Sequence, residues 1–443
     1  MIPHHGGWLA ACACCVLLGA RAHAASAPEN PPADGAFLDE VQRAEFRFFL
    51  ERADPLTGLV ADRAALVGQD ARTTASIAAT GYGLAALPIG VERGWIDRST
   101  ALRRAEACLR FVLSMDHNHG WLYHFVDGRT GRREWSCEVS TIDTALLVHG
   151  ALVCGAYFRG TPVEELANRL YDRLDWTWVL TNGGAKPGKL TVSMGWKPET
   201  GFIDHDWDEY CELALLVLLG LGARHAPLPP GSWEAWKRPV FRYAGIECLA
   251  GGPLFFHQMA YGYYDFRGRR DRLGFDYAVS AANATQIHRL FCRANASGRK
   301  TYAEGWWGLN ACDGPDGYAA YGVPRPEDGT VAPLAVLASV VEDSDRALAD
   351  LRAMRRKYGD RVWGRYGFCD AFNVDRNWFD ADTIGIDAGM ALLAIENHRS
   401  GLIWKLMASL PSTQRAFRAA GLVRTEEPAP RALRRSPPAP RSR

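Results

Sequence analysis

An all-α fold, an (α/α)6 barrel of six inner and six outer helices, is what this 443-residue sequence predicts. Three observations carry the prediction. Segments that are apolar all round begin near residues 73, 141, 208, 276, 332 and 384, as helices buried on every side require. Each is followed by a segment whose apolar residues recur at helical spacing beneath a charged outer face. The steps between them, roughly 50–70 residues, are long and unequal, and no short motif recurs, which argues against a solenoid.

In chain order, residues 1–27 have the form of an export signal: Trp8–Ala20 is an apolar core and Ala22-His23-Ala24 a small-residue cleavage site. Leu9-Ala10-Ala11-Cys12 resembles a lipobox, but too little apolar sequence precedes it, so cleavage after Ala24 is the favoured reading. The protein is expected to be exported, periplasmic or secreted. Residues 28–34 are a Pro/Ala linker into one domain covering 28–424, and the Arg/Pro-rich residues 425–443 read as a disordered tail. No other stretch reaches about 18 uninterrupted apolar residues, so no membrane span is expected.

Phe37–Arg52 is an amphipathic surface helix closed by the turn residues Asp54–Gly58. Thr73–Ile89 is the first inner helix, and Arg98–Met115 its outer partner. Gly120–Ser136 alternates around Asp127-Gly128 and reads as a β-hairpin. Ser140–Phe158 is the second inner helix, with Ser140 and Asp143 in capping-box spacing, and Val163–Trp176 is amphipathic. Lys189–Ile203 looks like another hairpin. The third inner helix follows Asp206–Glu209, where Asp206 and Glu209 fit a capping pair, and Trp233–Tyr243 reads as a short outer helix. Asp276–Arg293 is the fourth inner candidate, Gly305–Gly329 a long loop, and Ala332–Val341 with Asp345–Lys357 an inner/outer pair. Ile384–Glu396 is the sixth inner helix, with Asp382 free to cap it.

Helices arranged this way share one mouth at the inner N-termini, where the hairpins and the 305–329 loop would form a rim. Acids gather at those starts: Glu138 and Asp143, the run Asp204 to Glu212, then Asp382 and Asp387. Aromatics make up 11% of the chain, with 15 Trp, and exposed rings can stack on the apolar faces of sugars. A formal charge of +1 gives no electrostatic case for nucleic acid. Eight cysteines remain after the signal and none forms C-x-x-C, so neither a zinc nor a thioredoxin-type site is expected. Asp204, His205 and Asp208 lack a defined ligand spacing, and no metal or cofactor is assigned.

The motifs Ser140–Leu147 (STIDTALL), Trp207–Glu212 (WDEYCE), Gly251–His257 with Asp265–Arg267, Trp307–Pro315, Asp328–Pro333 and Gly385–Asp387 through Ile395–Asn397 span roughly 36–410. Together they resemble the glycoamylase-like family of bacterial carbohydrate enzymes, which includes glycoside hydrolase family 144. Cys211 and the stretch Asn310–Asp313 depart from the family's commoner forms. The resemblance implies an (α/α)6 barrel hydrolysing glucans, with inverting endo-β-1,2-glucanases its best-defined members. Such chemistry needs a proton donor and a second carboxylate. Glu212 is the first catalytic candidate, because a carboxyl beside a buried apolar run has a raised pKa. Asp143 and Asp387 are the others. Glu138, Asp313, His205 and His257 are candidate hydroxyl binders, and Trp207, Tyr210, Trp306 and Trp135 candidate stacking platforms, although single tryptophans often serve only the core. Oligo- or polysaccharide is the expected partner of a monomeric enzyme. A non-catalytic glycan-binding protein and a transglycosylase are the alternatives.

Overall fold

Six helices hold the centre of the fold: Ile77–Glu92, Thr141–Tyr157, Leu213–Leu221, Phe255–Tyr263, Pro333–Ala338 and Gly385–Arg399. The computed structural model describes residues 33–425, so the expected export signal, nearly all of the linker and the tail beyond Thr425 lie outside the described residues. Along Leu213–Leu221 every side chain is buried, as its uniformly apolar sequence demands. The chain of contacts among the six returns to its start. Ile77–Glu92 packs on Thr141–Tyr157, which meets Leu213–Leu221, which meets Phe255–Tyr263. Gln258 then donates to the Ala335 carbonyl (2.9 Å), and Gly385–Arg399 packs on both Pro333–Ala338 and Ile77–Glu92. The first contact is the tightest: a Cβ on Gly150 would lie 1.8 Å from the Gly81 carbonyl oxygen, so the two backbones touch there.

Amphipathic helices cover this centre. Ala33–Glu51 lies against the first and last inner helices, and Arg98–Ser114 and Pro162–Asp172 against the first two. Pro411–Ala420 covers Leu213–Leu221, Tyr277–Ala294 covers Phe255–Tyr263, and Ser344–Tyr358 covers Pro333–Ala338. The eight cysteines among the described residues are buried and unpaired. No helix of the described residues is long and apolar enough to cross a membrane.

Two expected elements differ. The fourth inner position belongs to Phe255–Tyr263, buried from His257 to Tyr263, whereas Tyr277–Ala294 buries one face only. Its Asn283 and Gln286 lie on the half-exposed face. Trp233–Tyr243 is not a helix. A single turn at Gly231–Glu234 gives way to a hairpin, Val240–Tyr243 with Ile246–Leu249. The pivot is Ala244-Gly245, at φ +50° and +79°, the left-handed pair that a tight hairpin turn requires.

Short β-ribbons decorate one end. Thr74–Ser76, Val139–Ser140 and Asp382–Ile384 each run directly into an inner helix, so three helix starts and their ribbons share that end. The Gly195–Lys197/Gly201–Phe202 hairpin forms as expected and is extended by Val139–Ser140. At Gly120–Ser136 the Asp127 turn forms, but Phe125–Asp127 pairs with Thr74–Ser76, leaving one bridge, Val126 to Arg133, across the expected hairpin. Within the 305–329 loop, Ala311–Cys312 pairs with Ala319–Ala320.

Candidate active site

Ser140 caps the second inner helix by accepting from the Asp143 amide (3.3 Å), and its hydroxyl donates to Asp143 Oδ2 at 2.5 Å. The other Asp143 oxygen lies 3.5 Å from Nε2 of His124, whose Nδ1 is 2.9 Å from Glu138. Glu138 is held below the usual carboxylate range, chiefly by that His124 contact.

Glu212 stands one residue before Leu213, with no capping bond to its side chain. Burial raises its pKa to about 7, and the charge of Asp143 adds to the rise. The expected cap by Asp206 and Glu209 does not form. Residues 203–212 run as bends and bridges instead of a helical turn, Asp206 is taken by Lys189 (2.7 Å) and Thr191 (3.1 Å), and Glu209 is exposed. Glu212 therefore occupies the cap position itself, directly ahead of the helix.

Asp387, in the first turn of Gly385–Arg399, is buried, accepts from Asn310 Nδ2 (2.9 Å), and leaves its Oδ2 unpartnered. Asp370 lies beside it and accepts the Asp313 amide (2.9 Å). Burial, reinforced by the neighbouring carboxylates, raises both Asp370 and Asp387 above the normal aspartate range, so this pair retains a proton where isolated acids would lose it. Asp380 is pushed up to about 7, again by burial first and by Asp313 second. Arg63 bridges Asp62 (2.9 Å) and Asp313 (2.6 Å). Arg72 takes Asp382 at 2.6 Å, so Asp382 sits in an ion pair on the strand ahead of the helix and is not its cap.

One buried phenol feels all three candidate acids. Tyr82, its hydroxyl unpartnered, has its pKa raised by burial first and then by the charges of Asp387, Asp143 and Glu212. Tyr318, exposed on the 311–320 ribbon, feels Asp387, Asp370 and Glu212. His124, Tyr82, Tyr318, Asp370 and Asp380 are not singled out by the sequence; His124 falls in the alternating Gly120–Ser136 segment, at a bend between Trp121–Leu122 and Phe125–Asp127.

The remaining candidates divide by exposure. Trp135 is 66% exposed at the rim and held at φ +54° against the Phe125 ring (4.9 Å). His205 is also exposed. Trp207 is buried and donates to Thr141 (2.9 Å), while buried Tyr210 and His257 contact each other (3.2 Å). Burial depresses His257 to about 3, leaving the imidazole neutral. Trp306 is buried, with its indole N–H given to Glu304 (3.0 Å) and Tyr358 (2.8 Å), so it braces its own segment and offers no open ring face. Two groups bring possible metal-ligand atoms within 4.8 Å of one another: His124/Glu138/Asp143 and Asp313/Asp380/Asp382. In the first both ring nitrogens already face carboxylates, and in the second Arg63 and Arg72 supply the positive charge. Neither is assigned a metal.

The chain is similar to several known carbohydrate-active proteins. Residues 204–411 match the family model described as “Putative glucoamylase”. A “putative glucoamylase” from Bacteroides uniformis is 31% identical, covers 89% of this chain and 99% of its own, and superposes with a TM-score of 0.81. An endo-β-1,2-glucanase from Chitinophaga pinensis, solved with sophorotriose and glucose, is 25% identical over 88% of this chain and 99% of its own, with a TM-score of 0.82. An exo β-1,2-glucooligosaccharide sophorohydrolase acting at the non-reducing end, from Parabacteroides distasonis, is 27% identical over 88% of this chain, which spans 58% of that relative's length. With the fold, the motifs and a full-length relative above 30% identity in agreement, the chain belongs to the glycoamylase-like family.

Proposed function

We propose that this protein is an exported glycoside hydrolase that cleaves a glucan, β-1,2-linked, by inverting acid/base hydrolysis on a single (α/α)6 barrel, acting as a monomer without a cofactor. The observation that carries the reading is Glu212. It is a carboxyl at an inner-helix start whose pKa of about 7 keeps a proton available at neutral pH, and its charge, like those of Asp143 and Asp387, bears on the buried Tyr82 phenol. Glu212 gives its proton to the leaving glycosidic oxygen. A carboxylate across the cleft activates the water that attacks the anomeric carbon from the other face. Asp143, held by Ser140, and Asp387, held by Asn310, are the two positions for that role. Trp135, exposed at the rim, supplies a ring face to a sugar, and Asp313 and His205 supply hydroxyl contacts, while Glu138 is engaged by His124.

The linkage is supported by relatives whose names specify β-1,2-glucan and β-1,2-gluco-oligosaccharides. Incubation of the purified protein with β-1,2-, β-1,3- and β-1,4-glucans, with products followed by chromatography, tests it. Short β-1,2-linked products are expected from the first alone. Products longer than the substrate would make it a transglycosylase. Saccharide binding without turnover would make it a binding protein.

A further inference from the structure

We propose that His124 is a positioning residue: a doubly protonated clamp, seated on Glu138, that fixes the Asp143 carboxylate at the cleft. The proposal rests on the reading of Asp143 as a working carboxylate and adds to it the group that orients that acid. A neutral imidazole carries one N–H, so it can satisfy one acceptor and must repel a second. His124 has carboxylate oxygens on both sides, Glu138 at 2.9 Å from Nδ1 and Asp143 at 3.5 Å from Nε2. Only the imidazolium gives a donor to each.

The ring cannot swing away. It stacks on Phe125 at 3.8 Å and 16°, and its backbone amide donates to the Glu138 carbonyl (3.0 Å) while its carbonyl accepts from Ile77 (3.2 Å). Glu138 is placed in turn by strand pairing at Val139 and by the rigid 133–138 turn, where Arg133 donates to the carbonyls of Cys137 (2.6 Å) and Ser136 (2.9 Å). The charged groups that face His124 are Asp143, Glu138 and, farther off, Asp62; Lys197 bears on Glu138. Burial works against the imidazolium, but these three acids outweigh it and hold the histidine above its ordinary 6.5. The cationic clamp is therefore present at low pH and is lost as pH rises through that raised value.

Asp143 has two oxygens and two holders, Ser140 on one and His124 on the other. Loss of the clamp frees it to rotate about the Ser140 bond, which lowers kcat more than it raises KM.

Long-range nitrogen–proton NMR of the free protein reads the His124 ring without any substrate. Both nitrogens are expected to show imidazolium shifts at pH 7, and Glu138→Gln is expected to lower the apparent pKa by one unit or more. A ring that titrates at or below 6.5 and ignores Glu138→Gln overturns the proposal, whatever the enzyme's substrate. On β-1,2-glucan, His124→Gln and Glu138→Gln are each expected to lower kcat at least tenfold with less change in KM. The double variant is expected to lose no more than His124→Gln alone. Additive losses, or a change in KM alone, would make Glu138 a direct sugar contact and overturn the clamp.

Discussion

Replacing Glu212 by Gln separates stability from catalysis at one position. Its pKa moves from 4.5 to about 7 because the folded protein withdraws it from water. That shift corresponds to about 3 kcal/mol favouring the neutral carboxyl over the carboxylate. The sign follows from linkage. Below pH 4.5 the group is neutral in folded and unfolded chains and costs nothing. Between 4.5 and 7 the unfolded chain ionises while the folded one resists, so stability falls by that amount and then levels off. Glutamine is neutral throughout. The variant should match the parent at pH 4.5 and exceed it by about 3 kcal/mol at pH 8, read as the difference in urea unfolding free energy. Turnover of β-1,2-glucan should drop about 10²- to 10⁴-fold, the range for loss of a general acid. A variant equally destabilised at both pH values would refute the burial argument, and one that keeps its activity would refute the assignment of the proton donor.

Asp387→Asn should lower kcat about 10²- to 10⁴-fold while leaving the urea midpoint at pH 7 no lower, because its amide oxygen can still accept from Asn310 and one buried acid is removed. Trp135→Ala should raise KM for long glucans about three- to tenfold. Its stability should change by no more than about 0.5 kcal/mol, because the ring is 66% exposed. Gly150→Ala should destabilise at or beyond the upper end of about 1–3 kcal/mol, measured by chemical denaturation, since the new methyl would meet the Gly81 carbonyl. A near-neutral result there would mean the first two inner helices can separate without cost.

Residues at a boundary between polar and apolar sequence were legible. Glu212 before Leu213, Asp143 after Ser140 and Asp387 after Gly385 can each be placed at an inner-helix start from pattern alone, and each stands at such a start in the structure. The helix Phe255–Tyr263 was hidden because it is only nine residues long and its apolar run is interrupted by His257 and Gln258. Trp233–Tyr243 was misread because helical spacing outweighed the Ala244-Gly245 turn beyond it. The caps at Asp206 and Asp382 failed for a different reason: local spacing permits a cap, but Lys189 and Arg72 compete for those carboxylates from elsewhere in the chain. Asp370 and Asp380 were invisible as site residues, since the groups that raise their pKa are brought there by folding. Tyr82 reads as ordinary core until its three acidic neighbours are known.

The most direct measurement is time-resolved proton NMR of β-1,2-gluco-oligosaccharides during hydrolysis by the wild-type protein. New reducing ends should appear first as the α anomer and then equilibrate, as inversion at a β-linkage requires. Products that appear first as the β anomer would contradict inversion, and no products from a folded protein would contradict the hydrolase itself.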